Sequence, residues 1–548
     1  MRKPSPATLL TVFIVLLALA ARLIPGPRTI DDSYITFRYA RNLLAGEGFV
    51  YNPGQPVLGT TTPLYTFSMA AIGVLTGGAN ANFPLNAWLF NVLADAATCY
   101  LLIRLGNTLG KNNGVRWAGY SAALVWSIAP YSVTFSIGGL ETSLYVFLLT
   151  ALALAYAERR RSLTGLLGAL AILTRPDAVL LVAPLILDRL VRAVRKTDAP
   201  LSRKELLAFL VPTLAWAATA TLLFGSPVPH SVQAKMGAYV LSANDALIRL
   251  IQHYATPFLE QHLLGSALAV GLGLVLYPFL YLIGAKRIYR SEPRLLAWLV
   301  YPWLYFLVFA LPNPLIFRWY LTPPLPAYFL GILAGVETLV RGKSKQVNVS
   351  MSSEVMSEEQ PPLPISTSSA PSSPPQNSST QPSLKLRVAL CILLVLPALL
   401  SMTDWRLHPD HAPDRPAPEM AWYKLELLYR EAADFVAPQM TASSVLAAGD
   451  VGVLGYYTPG RILDTVGLNS AEALKYYPLD KRFYVINYAI APDLIIDQQP
   501  DWVVILEVYG RLGLLPDLRF QTQYELVKTL PTDIYGSDGM LIFKRRQP

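Results

Sequence analysis

Apolar residues in this chain do not recur at helical or strand intervals. They come in long runs, and Lys and Arg cluster in the gaps between them. A bilayer's hydrocarbon core is about 30 Å thick and takes about 20 apolar residues to cross as a helix. Runs that meet this length, or nearly so, lie at 7–24, 84–105, 116–136, 141–158, 162–175, 177–194, 206–224, 264–284, 294–311, 320–340 and 386–402, with 162–175 the shortest. The pattern predicts about 11 membrane-spanning helices. The first run follows Arg2 and Lys3, yet no small-x-small cleavage pattern ends it and further spans follow. It reads as a retained helix rather than a signal peptide.

The basic clusters orient the spans, because short cytoplasmic loops carry the Lys and Arg excess. Arg2/Lys3, Lys111/Arg116, Arg159/Arg160/Arg161, Arg192/Arg195/Lys196, Lys286/Arg287/Arg290 and Arg341/Lys343/Lys345 all fall on one side with these spans. A further span at 63–76 would invert every later loop. That stretch is bracketed by Thr60–Thr62 and Gly77–Gly78 and is expected as a helix lying in, or dipping into, the outer interface. The first outer loop then covers 25–83, which is long for a polytopic protein, and long loops tend to carry function.

Two segments break the apolar rhythm. Residues 341–385 are dominated by a Ser-, Pro-, Gln- and Asn-rich run at 344–384 with almost no aromatics. Such a run cannot bury enough apolar surface to fold, so a disordered cytoplasmic linker is expected. Past the last span, residues 403–548 alternate strand-like runs at Ser444–Ala448, Trp502–Leu506 and Met540–Lys544 with helical runs such as Pro418–Val436. The expected architecture is an α-helical polytopic membrane body over 1–340, the linker, a last span at 386–402 and a soluble extracytoplasmic α/β domain over 403–548.

Composition fits this picture. The chain is 53% hydrophobic and 15% charged, against about 25% charged for a soluble globular chain. The net charge of +9 sits in the loop clusters and marks topology, so no nucleic-acid partner is expected. Cys99 and Cys391 lie in apolar runs and read as small buried hydrophobes. No Walker loop, dinucleotide fingerprint, HExxH or nucleophile elbow is present.

Candidate chemistry concentrates in the first outer loop, which opens with Asp31-Asp32-Ser33-Tyr34-Ile35-Thr36-Phe37-Arg38. Acids beside apolar walls at a membrane boundary suit general-base work, because desolvation and like-charge repulsion raise a carboxylate's basicity. Asp31 or Asp32 could equally cap the helix running through Ile35–Leu44, and one acid could do both. Other outer features sit at span ends: Gly139-Leu140-Glu141-Thr142, where Glu141 also suits the helix dipole, Thr174-Arg175-Pro176-Asp177, Gly225-Ser226-Pro227-Val228-Pro229-His230 leading to Lys235, and Phe317-Arg318-Trp319-Tyr320. Arg175, Lys235 and Arg318 are among the few cations predicted outside. Near two carboxylates they would suit a phosphate leaving group, whose developing charge cations stabilise.

The Asp31–Ala40 segment, with Gly46-Glu47-Gly48 and Gly59-Thr60-Thr61-Thr62-Pro63-Leu64 after it, resembles the first outer loop of GT-C membrane glycosyltransferases, and most of all the actinobacterial terminal arabinofuranosyltransferase (AftB-like) group. The four span-end motifs resemble that group's pattern. Gly449-Asp450-Val451-Gly452 and Leu463-Asp464-Thr465-Val466-Gly467 resemble the outer soluble domain of related bacterial members. The resemblance implies an inverting sugar transferase with a polyprenyl-phosphate sugar donor and an envelope glycan, lipid or protein as acceptor. It implies that one Asp of Asp31/Asp32 is the general base while the other orients the acceptor or holds a cation, Mg²⁺ or Mn²⁺. Tyr34, Arg38, Glu141, Arg175, His230, Lys235, Arg318 and Tyr320 are the expected substrate contacts, with His230 standing where relatives often have Asn.

A transporter or flippase for a lipid-linked glycan is the competing reading. Transporters tend to show repeated halves and ionisable residues near the midplane. No half-repeat is evident, and the acids cluster at the outer interface, but Asp95 lies inside a predicted span. A packed polar contact between helices is the plain alternative for Asp95. A non-catalytic scaffold is a third reading, against which both Asp31 and Asp32 count.

Overall fold

The computed structural model describes residues 4–111, 115–354, 384–410, 414–420 and 424–546. The body contains, in chain order, α1 (Pro6–Leu23), α2 (Asp31–Leu44), α3 (Pro63–Thr76), α4 (Phe83–Gly110), α5 (Arg116–Ile128), α6 (Pro130–Ile137), α7 (Thr142–Ala157), α8 (Arg161–Thr174), α9 (Val179–Val194), α10 (Arg203–Phe224), α11 (His230–Ala238), α12 (Asp245–Ala255), α13 (Gln261–Leu264), α14 (Ser266–Ser291), α15 (Leu296–Ala310), α16 (Leu325–Glu354) and α17 (Leu384–Met402). Every predicted apolar run is helical. Among the described residues, 6 helices are long and apolar enough to cross a membrane, and the chain is a multi-pass membrane protein. Helices α3, α7 and α8 are apolar but shorter.

Two expectations are corrected. The run 116–136 is not one helix: it breaks at Ala129, whose extended ψ of 131° precedes Pro130. Proline disfavours helical geometry in the residue before it and cannot donate the next backbone hydrogen bond. At the other end, α16 continues to Glu354, into the stretch expected to be disordered. Extending an existing helix costs far less than nucleating one, so composition alone misplaces the end. Residues 355–383 of the expected linker lie outside the described residues.

Lipid is the solvent for much of the body. Helix α10 turns Leu207, Leu214 and Leu222 outward, and α14 does the same with Leu272, Val275 and Leu282. Inside, α14 and α16 touch backbone to backbone: a Cβ on Gly284 would lie 1.9 Å from the Gly331 carbonyl oxygen. Small residues are what allow such close helix contact in membranes.

Asp95 finds its explanation here. Its carboxylate accepts from Arg22 Nε at 2.9 Å, Ser143 Oγ at 2.9 Å and Trp126 Nε1 at 3.2 Å. Arg22 also donates to the Ala18 and Ser127 carbonyls and to Ser132 Oγ. Both side chains of the pair are fully buried. The acid inside the span is a lock joining α1, α4, α5, α6 and α7.

Past α17 come a short hairpin of β1 (Trp405–His408) and β2 (Arg415–Pro418), helix α18 (Lys424–Val436) and a five-stranded sheet. The sheet contains β3 (Val445–Ala448), β4 (Arg461–Asp464), β5 (Trp502–Leu506), β6 (Tyr524–Leu530) and β7 (Met540–Arg545) in the order β4-β3-β5-β7-β6. Strands β3, β4 and β5 run parallel, while β7 pairs antiparallel with β5 and β6. The α/β expectation holds. The central strand β5 is buried along its whole length, as its unbroken Trp-Val-Val-Ile-Leu run requires. Strands β4 and β6 are ones the sequence reading did not name. A short helix α19 (Gly452–Tyr457) follows β3 and leads to the functional region.

Candidate functional site

The first loop is the joint between the body and the C-terminal domain. Residues just before α2 are strapped to the end of α6: Arg28 N–H donates to the Ile137 carbonyl at 2.8 Å and Ile30 N–H to the Gly138 carbonyl at 2.9 Å. Ser33 Oγ donates to the same Gly138 carbonyl at 2.7 Å. This fixes the first turn of α2, where Asp31 and Asp32 both stand. Successive helical side chains diverge by about 100°, so the tandem acids face different partners.

Asp31 faces the C-terminal domain. Its Oδ2 accepts the Gly452 N–H at 2.9 Å and its Oδ1 the Val453 N–H at 2.8 Å. The expected cap on α2 is not formed, since its N-cap is Ile30 and no side chain caps it; Asp31 instead binds the first N–H groups of α19, from the other end of the chain. Gly452 is required by proximity: a Cβ there would sit 1.7 Å from the Asp31 carbonyl oxygen. Gly452→Ala is therefore expected to prise the joint open at a cost of at least about 1–3 kcal/mol, the usual penalty for overpacking. A lowered unfolding temperature and faster proteolysis of the C-terminal domain would report it; wild-type values for both would show that the joint yields freely.

Several other residues of the loop serve the same joint. Arg38 donates from Nε to the Tyr51 carbonyl at 2.8 Å and from Nη2 to the Gly460 carbonyl at 2.9 Å, and its Nη1 reaches the Gly455 carbonyl. Tyr34 OH donates to Glu426 on α18 at 3.1 Å. Asn52 exchanges hydrogen bonds with the backbone of Ile462 on β4, and Tyr51 OH donates to the Val451 carbonyl at 2.5 Å. Tyr34 and Arg38, expected at the substrate, are thus held in the interface.

Asp32 faces a cleft in the body. Its walls are Asp32, Ile35 and Thr36 from α2, residues 59–62, Leu140 and Glu141, Arg175, Ser231 and Lys235 on α11, Trp319 and Tyr320, with Leu468 from the C-terminal domain. Arg175 is pinned between Glu141 at 2.9 Å and Asp177 at 2.9 Å, and its guanidinium lies 4.4 Å from the centre of the Tyr320 ring. Lys235 has no ion-pair partner among the described residues; its ammonium sits 5.1 Å from the centre of the Phe317 ring.

Of the expected site residues, the cleft gathers Asp32, Glu141, Arg175, Lys235 and Tyr320. Asp31, Tyr34, Arg38, His230 and Arg318 are not on its walls. His230 opens α11, donates its N–H to the Leu58 carbonyl at 2.8 Å and buries an Nε2 that has no partner among the described residues. Arg318 is exposed, beside Tyr535, which also feels Asp32 and Asp450.

The charges are tuned. Burial raises the Asp32 carboxyl above its usual range, and Lys235 opposes the shift. Burial raises Asp31 strongly, with the charge of Asp450 adding to it and the Val453 N–H opposing. Each Asp31 oxygen accepts one backbone N–H group, whereas Asp32 lines the cleft. Among the described residues, no three His, Cys, Asp or Glu side chains are grouped to hold a metal ion.

Sequence reasoning did not single out Asp450, which lies two residues before the Gly452 that binds Asp31 and is not on the cleft walls. Its signal was an acid in a Gly449-Asp450-Val451-Gly452 turn just after a strand. It accepts from Tyr429 OH at 2.7 Å and Tyr509 OH at 3.3 Å. Burial pushes it up to about 6, with the charge of Asp32 adding and the two tyrosines opposing.

Comparison with known proteins places this geometry. The crystal structure of ArnT from Cupriavidus metallidurans bound to undecaprenyl phosphate superposes with a TM-score of 0.52 at 13% identity, covering 98% of this chain and 97% of that one. The apo oligosaccharyltransferase of Archaeoglobus fulgidus gives a TM-score of 0.52 at 13% identity, covering 100% of this chain and 75% of that one. The chain therefore has the GT-C fold, as its first-loop motif led one to expect. A terminal β-(1→2)-arabinofuranosyltransferase of Mycobacterium tuberculosis is 30% identical over 165 residues, which are 28% of this chain and 26% of that relative. Residues 419–543 match a family described as a domain of unknown function (DUF8728).

Proposed function

We propose that this GT-C-fold chain is a membrane glycosyltransferase that moves a sugar from a polyprenyl-phosphate donor to a hydroxyl of a cell-envelope glycan, lipid or protein. One observation carries the reading: Asp32 lines a cleft beside Lys235 and accepts no hydrogen bond among the described residues, so its lone pairs are free for a substrate. The chemistry of the similar proteins, an undecaprenyl phosphate on ArnT and arabinofuranosyl transfer in the mycobacterial enzyme, supports it. The Lys and Arg pattern of the loops supports an extracytoplasmic cleft and C-terminal domain.

In this reading Asp32 takes the proton of the acceptor hydroxyl. The freed oxygen bonds to the anomeric carbon as the carbon–oxygen bond to phosphate breaks. A single displacement inverts that carbon. The electron pair leaves with the polyprenyl phosphate, whose charge Lys235 stabilises, with Arg318 at the rim. Arg175, neutralised by Glu141 and Asp177, acts as a rigid wall behind Tyr320.

The test is transfer by purified protein in lipid, offered a panel of polyprenyl-phosphate pentoses and hexoses, arabinofuranose first, with envelope glycans as acceptors. Transfer from one donor is expected. Lys235→Met should lower kcat/KM for that donor by about 10²- to 10³-fold, the usual loss when one charge-stabilising group is removed. Neither transfer nor donor hydrolysis across the panel would overturn the reading, and unchanged donor kinetics in Lys235→Met would remove that residue from it.

A further inference from the structure

Helix α11 is held from both sides. At its start, the His230 N–H donates to the Leu58 carbonyl of the first loop at 2.8 Å. At its end, the Ala238 carbonyl accepts from Tyr484 OH at 3.3 Å, and the Val240 N–H just beyond donates to the Asn487 carbonyl at 2.9 Å. Tyr484 and Asn487 belong to the C-terminal domain, so the body and that domain together fix how α11 is turned.

Ser231 and Lys235 stand one helical turn apart on α11, and both line the cleft that holds Asp32. Residues four apart on a helix face the same way, with Cβ atoms about 5–6 Å apart. Ser231 is 3% exposed, and its Oγ is buried with no hydrogen-bond partner among the described residues. Buried hydroxyls are paired as a rule, because an unpaired one loses water and gains nothing. Other polar groups of the wall obey that rule. The hydroxyls of Thr60 and Thr62 bond to each other at 3.1 Å, and Glu141 is paired with Arg175 at 2.9 Å. Ser231 is thus a wall group of the cleft whose partner is not protein.

The neighbours of Ser231 select the partner's chemistry. Lys235 only donates and carries a positive charge. Ser231 is the second residue of α11, in the first turn, where the helix dipole presents partial positive charge. A hydroxyl, an ammonium and a helix start converge on an anion. The adjacent stripe of the same helix selects its source. Val232 and Met236, each one position past a cleft residue, are exposed, as is Val228 in the turn before them. These follow the outward Leu222 and Leu223 at the end of α10. An anion that reaches this helix beside an apolar, exposed stripe is one carried on a lipid.

We propose that Ser231 and Lys235 form a two-point seat for the phosphate of a lipid-linked donor, Ser231 Oγ donating to one phosphate oxygen and the Lys235 ammonium to another. This rests on the transferase reading above and adds to it a neutral ligand of the leaving group. Ser231 forms no covalent bond and keeps its proton. It holds the same phosphate before and after the bond to the anomeric carbon breaks, so it binds donor and released lipid phosphate alike.

The test is binding, and needs no turnover. Farnesyl phosphate, farnesol and inorganic phosphate are titrated calorimetrically against full-length wild type, Ser231→Ala and Lys235→Met in detergent. Ser231→Ala should weaken farnesyl phosphate by about tenfold or more, the loss of one hydrogen bond to a charged group. Farnesol should bind wild type and Ser231→Ala equally. Without ligand, the Ser231→Ala protein should unfold at the wild-type temperature or above it, since the variant removes an unpaired buried hydroxyl. That combination supports the seat. Farnesyl phosphate bound equally by Ser231→Ala and wild type, an equal loss for farnesol, or a lowered unfolding temperature would overturn the role of Ser231. The transferase reading would survive each of these if Lys235→Met alone lost farnesyl phosphate. Inorganic phosphate bound as tightly as farnesyl phosphate would overturn the lipid source. A wild type that binds no farnesyl phosphate and transfers no sugar would take both readings down.

Discussion

Asp32→Asn is expected to lower glycosyl transfer by about 10²- to 10⁴-fold without changing the unfolding temperature, because a positioned general base contributes about that factor. The amide keeps the shape and loses the basic lone pair, and no hydrogen bond among the described residues depends on the carboxylate. Asp31→Asn should behave in the opposite way. An amide offers one acceptor oxygen where two N–H donors, Gly452 and Val453, need one each. A buried unpaired N–H costs about 1–3 kcal/mol. Stability and domain docking should fall by that amount, with transfer reduced only as far as docking is lost. Transfer and thermal unfolding measured side by side on both variants decide the matter. The assignment fails if Asp31→Asn is stable and inactive while Asp32→Asn remains active.

The second large effect concerns stability alone. Asp95→Ala should destabilise the body by about 3–5 kcal/mol, the usual result of leaving one member of a buried ion pair without its partner. Arg22 would retain its carbonyl contacts and Ser132, but Nε would face apolar space, and Trp126 and Ser143 would lose their acceptor. Replacing both members, Arg22→Met with Asp95→Leu, should restore most of the loss, because apolar side chains of similar volume do not need solvation. Thermal unfolding in lipid reads both. A neutral Asp95→Ala would show that the lock contributes nothing, and would reopen a transport role for this acid.

These expectations show how far one dimension reaches. The apolar runs became helices because a backbone in lipid has no other way to satisfy its N–H and C=O groups. The pattern therefore sufficed for the segments, and the strand-like runs at β3, β5 and β7 for much of the sheet. It failed at Ala129, where a local proline outweighed an apolar run, and at Glu354, where helix propagation outweighed composition. The first-loop motif pointed to the GT-C fold.

What the sequence by itself determined is the membrane body, the C-terminal α/β domain and the position of the tandem acids, since each depends on runs and neighbours within a few tens of residues. What only the tertiary structure decided is the role of each charge. The partner of Asp31 is 421 residues away, and Arg38 meets Gly455 at a separation of 417. Arg175 is bound by acids that fold against it, whereas Lys235 is left with an aromatic ring and a carboxylate across the cleft. A charge's function follows from what neutralises or desolvates it, and in this protein that environment is assembled from segments that only the folded chain brings together.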